Sequence, residues 1–471
     1  MIVFIALLIG VLLPTLIGWM LLKILEGKNP VLLRLERWCI GFVLGGTLFT
    51  FASFLLEILG VISFTRFGFI LTFLILFAVL GAICYKKGLF KTDCEVSAAP
   101  SAPLNKTALV MLLIIGIWTV LKIASGAYLL VYSPPYHNDV INNWNYRGKV
   151  FFYTQELTLD LERGYGRIDS VGISSYPPSV PLMKTWLATL HGSWHEGLAN
   201  SIHILWYICA LCLVYCALRR YRSRGWSLLG LYLISSIPLY LMHGSVAYAD
   251  IVVSLHVFIT VICLFNAVMC TDSEKRNSFL RISAVAMALL IFTKNEGLAL
   301  YLPIFALIVL LLCTWHIYGK TVKPSRVLRL LMMYTGIGAV VLIPWLIFKW
   351  VHNLPFGNAK AVSGLELAWQ EGVLQALGLN LFFNGSWIFL IPLLIVLLIA
   401  AWKSAWKSPL VIISGFILLV MGAQIGLFLF TNLSVEVILG TGYSRGIIQL
   451  VPLIVFLCMM LGSKLFKKQS S

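Results

Sequence analysis

Residues 177–195, PPSVPLMKTWLATLHGSWH, decide the topology of this chain. If they cross a membrane, every later segment faces the opposite way, and Arg219, Arg220, Arg222 and Arg224 come to lie outside. Met183, Trp186, Leu187, Leu190 and Trp194 recur at helical spacing, while Lys184, Thr185 and His191 fall off that stripe. A one-sided stripe suits a helix lying along a membrane surface rather than one crossing it. The stretch is therefore read as an interfacial helix on the outer side. A similar stripe of Ile141, Trp144, Gly148, Phe151 and Phe152 predicts a second one at about 139–153. The outer loop 130–197 becomes a structured shelf.

The composition around this segment sets the class. Of 471 residues, 60% are hydrophobic and 11% charged, against roughly 25% charged in ordinary soluble domains. That excludes a soluble enzyme, a nucleic-acid binder and a disordered tail. About 20 apolar helical residues cross a hydrocarbon core of ~30 Å. By that measure spans fall near 2–23, 38–62, 67–85, 107–129, 198–218, 226–244, 251–270, 279–293, 298–317, 328–350, 380–402, 409–431 and 446–462. The expected fold class is an all-α polytopic membrane protein with about 13 transmembrane helices.

The net charge of +17 follows from sidedness. One set of loops holds 24 of the 35 Lys and Arg residues, and the richer side is cytoplasmic by the positive-inside rule. The N-terminus is then outside and the C-terminus inside. No Ala-x-Ala-like cleavage site or basic leader marks the first span as a removable signal peptide, so it reads as an anchor. The ten cysteines lie nearly all in spans, Cys94 being the clear exception, which leaves no disulfide for the outer face. Cys209, Cys212 and Cys216 read as packing residues.

On this topology the unusual polar residues collect at the outer side. They are Asp139 in YHNDVINNW, Asp250 in HGSVAYAD, Lys294 and Glu296 in TKNEG, and Arg445 in GTGYSRG. A charge at bilayer depth costs at least ~2.5–3.5 kcal/mol, so such residues line a polar cavity or pair with one another. Taken singly, Asp139 and Asp250 also suit helix N-caps, and Lys294 with Glu296 suits a self-satisfied turn. Their joint placement favours one site.

These motifs, in order, resemble those of polytopic GT-C glycosyltransferases. Asp139 precedes the Trp144 helix, Tyr176-Pro177-Pro178 precedes the Trp186 helix, and Tyr248-Ala249-Asp250, Thr293-Lys294-Asn295-Glu296-Gly297 and Tyr443-Ser444-Arg445 follow. Protein O-mannosyltransferases and lipid A aminoarabinose transferases are relatives of this kind. The resemblance covers about residues 107–462, and the first loop differs in carrying a single Asp139 beside His137 and Asn138 rather than paired acids. It implies a GT-C-like arrangement for 107–351, the catalytic transmembrane module with outer loop 130–197, followed by 352–471, an outer loop and the C-terminal spans; composition sets apart 1–94, a three-span accessory module outside the resemblance, and 95–106, a cytoplasmic linker containing AAPSAP.

The resemblance further implies a polyprenyl-phosphate sugar as donor, a glycan, lipid or protein hydroxyl as acceptor, membrane lipid as a partner and no nucleic acid. The enzyme would sit in a bacterial cytoplasmic membrane with its site on the outer face. Release of an anionic phosphate favours fixed cations, for which Lys294 and Arg445 are the candidates. Asp139 is the first candidate general base and Asp250 the second. Glu296, Tyr443, Arg147 and Tyr176 complete the expected substrate- and phosphate-binding set. No cofactor is called for. A divalent metal on His137 and His243, with Asp139 and Asp250, is a secondary reading without a recognised ligand spacing. The loop 352–379 reads as a lid or acceptor wall. Two competing functions are a lipid-linked oligosaccharide ligase or polymerase, and a transporter or flippase, the latter expected to show related halves and helices broken near the midplane.

Overall fold

The computed structural model describes residues 2–91, 96, 106–159, 173–318, 323–356 and 365–469. Most of the linker 95–106, including AAPSAP, part of the shelf 130–197 and part of the loop 352–379 lie outside the described residues. Nine helices among the described residues are long and apolar enough to cross a membrane: Ile2–Glu26, Arg34–Ile58, Arg66–Lys86, Leu109–Tyr132, Glu196–Arg219, Asp250–Met269, Gly297–Trp315, Pro324–Val351 and Val411–Phe430. The chain is an integral membrane protein. Its described residues contain no β-strand, and Leu367 and Thr431 form an isolated antiparallel bridge.

Two further expected spans are broken, which brings the number to eleven if each bent pair is one span. Arg224–Ser236 and Pro238–Gly244 meet at 75°, and Gly442–Ile448 and Val451–Phe466 at 51°. Proline causes both breaks. Pro238 pushes Ile237 into an extended conformation (φ −70°, ψ 113°), and Pro452 has no N–H to continue the preceding helix. The two expected spans that remain, 279–293 and 380–402, differ from the rest. Residues 279–293 belong to the 19-residue helix Ser273–Ile291, whose first turns carry Glu274, Lys275, Arg276 and Arg281. Residues 380–402 contain a π turn, Leu379–Phe383, and a separate 11-residue helix, Leu390–Ala400, which is only about 16 Å long.

The segment 177–195 is not among the helices long enough to cross a membrane, and it is not left exposed on the protein's surface. Its helix, Ser179–His191, is buried from Ser179 through Thr189. The three leading helices supply one wall of its bed. Trp186 donates from Nε1 to the Gly10 carbonyl at 3.0 Å and packs edge-on to Phe49 at 5.3 Å. Arg66 donates to the Thr189 and Leu190 carbonyls at the helix C-terminus. On the face expected to be polar and wet, Lys184 and Thr185 are buried too, while His191 stays partly exposed. Lys184 donates to Asn200 at 3.1 Å and to Asn145, and Thr185 donates to the Gly148 carbonyl at 3.0 Å. The stripe was real, but protein covers both of its sides.

The second expected interfacial helix is Asn145–Thr154, entered through a π turn at Val140–Trp144. The leading helices approach one another through small residues: a Cβ on Gly18 would lie 1.8 Å from the Gly41 carbonyl oxygen, and one on Gly45 2.0 Å from that of Pro14. Most buried apolar side chains, from Ala6 to Leu461, form one continuous core, and Ile17, Met20, Cys84 and Leu89 form a smaller second cluster.

Candidate active site

A helical hairpin starts the site. Asp250–Met269 runs away from it, a turn at 270–272 capped by Asp272 reverses the chain, and Ser273–Ile291 returns. The two open ends therefore meet, and Lys294 Nζ stands 3.0 Å from Asp250 Oδ1. Gly297 permits the tight TKNEG turn, since a Cβ there would lie 2.3 Å from the Leu290 carbonyl oxygen. The same ammonium pairs with Glu296 Oε1 at 2.6 Å.

The short helix Gly442–Ile448 supplies the other half. Arg445 donates from Nε to Asp250 Oδ2 at 3.2 Å and from Nη1 to Asp139 Oδ2. One turn later Gln449 donates to Asp250 Oδ1 at 2.9 Å. His243 Nδ1 lies 3.2 Å from Asp250 Oδ2. Tyr248 layers the assembly: its ring stacks on His243 at 4.9 Å and lies beneath the Arg445 guanidinium at 4.7 Å.

Exposure is graded across the cluster. The Asp250 side chain is 0% exposed, Lys294 4%, Arg445 24%, Glu296 38% and Asp139 40%. Asp250 is thus an enclosed anchor, and Asp139 and Glu296 form the open rim. Both rim acids immediately precede π turns, Val140–Trp144 and Gly297–Tyr301. Such wide turns are frequent at functional sites. Burial alone would push the Lys294 ammonium down, but the carboxylates of Asp250 and Glu296 outweigh it and hold its pKa above the ordinary lysine value. Burial pushes the Tyr176 phenol up to about 12, with Glu296 adding to the rise. His137 is pushed down by burial, against the opposing pull of Asp139.

Beside this cluster lies a cavity of about 390 Å³ lined by Lys122, Tyr136, His137, Asn200 and Ser245 among others. His137 thus borders both the cavity and the residue next to the rim acid Asp139.

No protein-family model matches the chain, and no curated protein matches it in sequence. Its structure is similar to the crystal structure of ArnT from Cupriavidus metallidurans in the apo state. The TM-score is 0.53 at 15% sequence identity, and the match covers 77% of this chain and 62% of that chain. The fold resembles that of ArnT. The chain spans about three-fifths of the length of ArnT (62%), and at this identity the likeness concerns the fold alone.

Within this ArnT-like frame, Asp139, Asp250, Lys294, Glu296, Arg445 and His243 come together. Tyr443 does not join them. It stands two residues before Arg445, on another side of the helix, and packs on Phe428 at 5.7 Å. Arg147 lies a layer away, donating to the Tyr176 carbonyl at 3.0 Å. Tyr176 packs against Trp144 at 5.7 Å. Among the described residues, no group of three His, Cys, Asp or Glu side chains is arranged to hold a metal ion. The expected donors His137 and His243 each face the Tyr248 ring.

Sequence reasoning missed Gln449 and Asn380, and named Tyr248 only as part of its motif, without a role. Gln449 was findable, being an amide one helical turn from Arg445 in an otherwise apolar stretch. Asn380 ties its π turn to the Val437 carbonyl at 2.8 Å and accepts from Ser444 at 3.3 Å, bracing the residue before Arg445. No local signal marks it.

Proposed function

We propose that this chain is a GT-C glycosyltransferase that moves a sugar from a polyprenyl-phosphate donor to an acceptor hydroxyl at the outer face of the membrane, with inversion. The observation that carries this reading is the Arg445 guanidinium shared between an enclosed carboxylate, Asp250, and an open one, Asp139. Likeness of the fold to ArnT, a lipid A aminoarabinose transferase, supports the reaction class.

In the proposed reaction the donor phosphate, a monoanionic diester, lies against Lys294 and Arg445. Competition for Arg445 loosens its hold on Asp139, which becomes free to act as base. The acceptor oxygen attacks the anomeric carbon, its proton passes to Asp139, and the bond from that carbon to the phosphate oxygen breaks. Polyprenyl phosphate leaves with one more negative charge, and the two fixed cations are placed to stabilise that growing charge. Asp250, expected earlier as a second base, takes a different role here: its oxygens already accept from Lys294, Arg445 and Gln449, so it holds the cations in place. Glu296 restrains Lys294 from the rim. The cavity bordered by His137 suits one of the two substrates.

Asp139→Asn tests the assignment. Transfer from a polyprenyl-phosphate sugar should fall by about 10²–10⁴-fold, with the protein still folded in the membrane. Full activity would remove Asp139 from the base role. A diphosphate-linked glycan in place of the monosaccharide donor separates this reading from a ligase or polymerase.

A further inference from the structure

Two buried cations remain outside this reaction scheme. Arg147, on Asn145–Thr154, donates from Nη2 to the Tyr176 carbonyl at 3.0 Å. Lys349, near the end of Pro324–Val351, donates from Nζ to the Ser175 carbonyl at 2.7 Å. Both side chains are buried, and both charged heads are gathered on consecutive peptide groups. Neither forms an ion pair with a carboxylate among the described residues, and Arg147 Nη1 has no hydrogen-bond partner.

What surrounds them is aromatic. The Phe151 ring lies 5.7 Å from the guanidinium, and Trp345 and Phe356 each lie 5.1 Å from Lys349 Nζ. Carbonyls and ring faces solvate a cation but leave its charge uncancelled. Two uncancelled like charges in one buried place are costly unless an anion joins them. The pair also adjoins the cluster, because Ser175 Oγ accepts from Asn295 Nδ2 at 3.4 Å, directly beside Lys294.

We infer that Arg147 and Lys349 form a second anion subsite, which takes a phosphate-type oxyanion of the substrate while Lys294 and Arg445 take the first. This rests on the glycosyltransferase reading for the word substrate, but not for the binding itself. The single phosphate of the proposed donor is taken by Lys294 and Arg445, so the second oxyanion is an anionic group on the acceptor. Arg147 Nη1, with no hydrogen-bond partner, is the donor placed to meet it.

The test is equilibrium binding of inorganic phosphate to the purified full chain in nanodiscs, compared with Arg147→Gln, Lys349→Gln, Arg445→Gln and the charge-preserving Arg147→Lys and Lys349→Arg. Loss of about tenfold in affinity is expected in each of the first two. Binding should persist in Arg445→Gln and be largely kept in the charge-preserving pair. Unchanged phosphate affinity in folded Arg147→Gln and Lys349→Gln would overturn the subsite. Because no sugar transfer is measured, failure here is separate from failure of the enzymatic reading. A second arm names the source. Equal binding of polyprenyl monophosphate and polyprenyl diphosphate is expected of an acceptor subsite. Tighter binding of the diphosphate, with the difference lost in Lys349→Gln, would overturn the assignment to the acceptor.

Discussion

Asp250 meets Lys294, Arg445, Gln449 and His243 with none of its side chain exposed. Removing a buried carboxylate leaves its cations uncompensated, which costs about 3–5 kcal/mol in comparable cases. Asp250→Asn should therefore lower both stability, by about that amount, and transfer, by about 10²–10³-fold. Denaturant unfolding in detergent checks the first and turnover the second. Asp139→Asn, at the open rim, should leave stability nearly unchanged. Lys184 offers a separate test by pH. Burial pushes its pKa down to about 7, while the unfolded chain keeps that proton up to about 10.4. Between these values the unfolded state binds more protons, so stability rises with pH and is lost as pH falls toward 7. The gain from pH 7 to 9 should be about 1–2 kcal/mol, and Lys184→Met should flatten it in thermal melts. The site residues were legible because charge inside apolar helices has to converge on partners. Their division of labour was not, since only the fold reveals that Asp250 is enclosed and Asp139 open.

At the scale of elements, the helix Ser179–His191 carries the clearest lesson. Its apolar stripe favoured a helix lying along a membrane surface, yet a stripe reads the same against lipid as against protein. Its bed comes from Gly10, Phe49 and Phe69, more than a hundred residues earlier, which no local pattern reports. The Lys184 face found polar partners in Asn145 and Asn200 rather than water. Trp186→Ala should accordingly cost about 3–5 kcal/mol, as for other buried tryptophans, rather than the small change of a surface residue. A smaller loss in unfolding experiments would return the helix to the surface. The breaks at Pro238 and Pro452 had a visible cause in sequence, whereas the π turns after Asp139 and Glu296 had none, because any helical pattern accommodates an extra residue.

For the whole molecule, hydropathy alone recovered nine crossing helices, and prolines split two more. Of the two remaining expected spans, one carries charged first turns yet returns alongside Asp250–Met269 in the hairpin, and the other holds a helix of only 11 residues. The broken helices bear on function: Pro238–Gly244 carries His243, and Gly442–Ile448 carries Arg445. Breaking a helix at the site lets its end residues turn inward. Broken helices are also expected of a transporter, so the decisive experiment must separate transfer from transport. It is reconstitution of the purified chain in proteoliposomes supplied with a polyprenyl-phosphate monosaccharide and a hydroxyl acceptor. The expected result is a new glycosidic bond with release of polyprenyl phosphate, lost in Asp139→Asn. Movement of the intact sugar lipid across the bilayer with no new bond would contradict it.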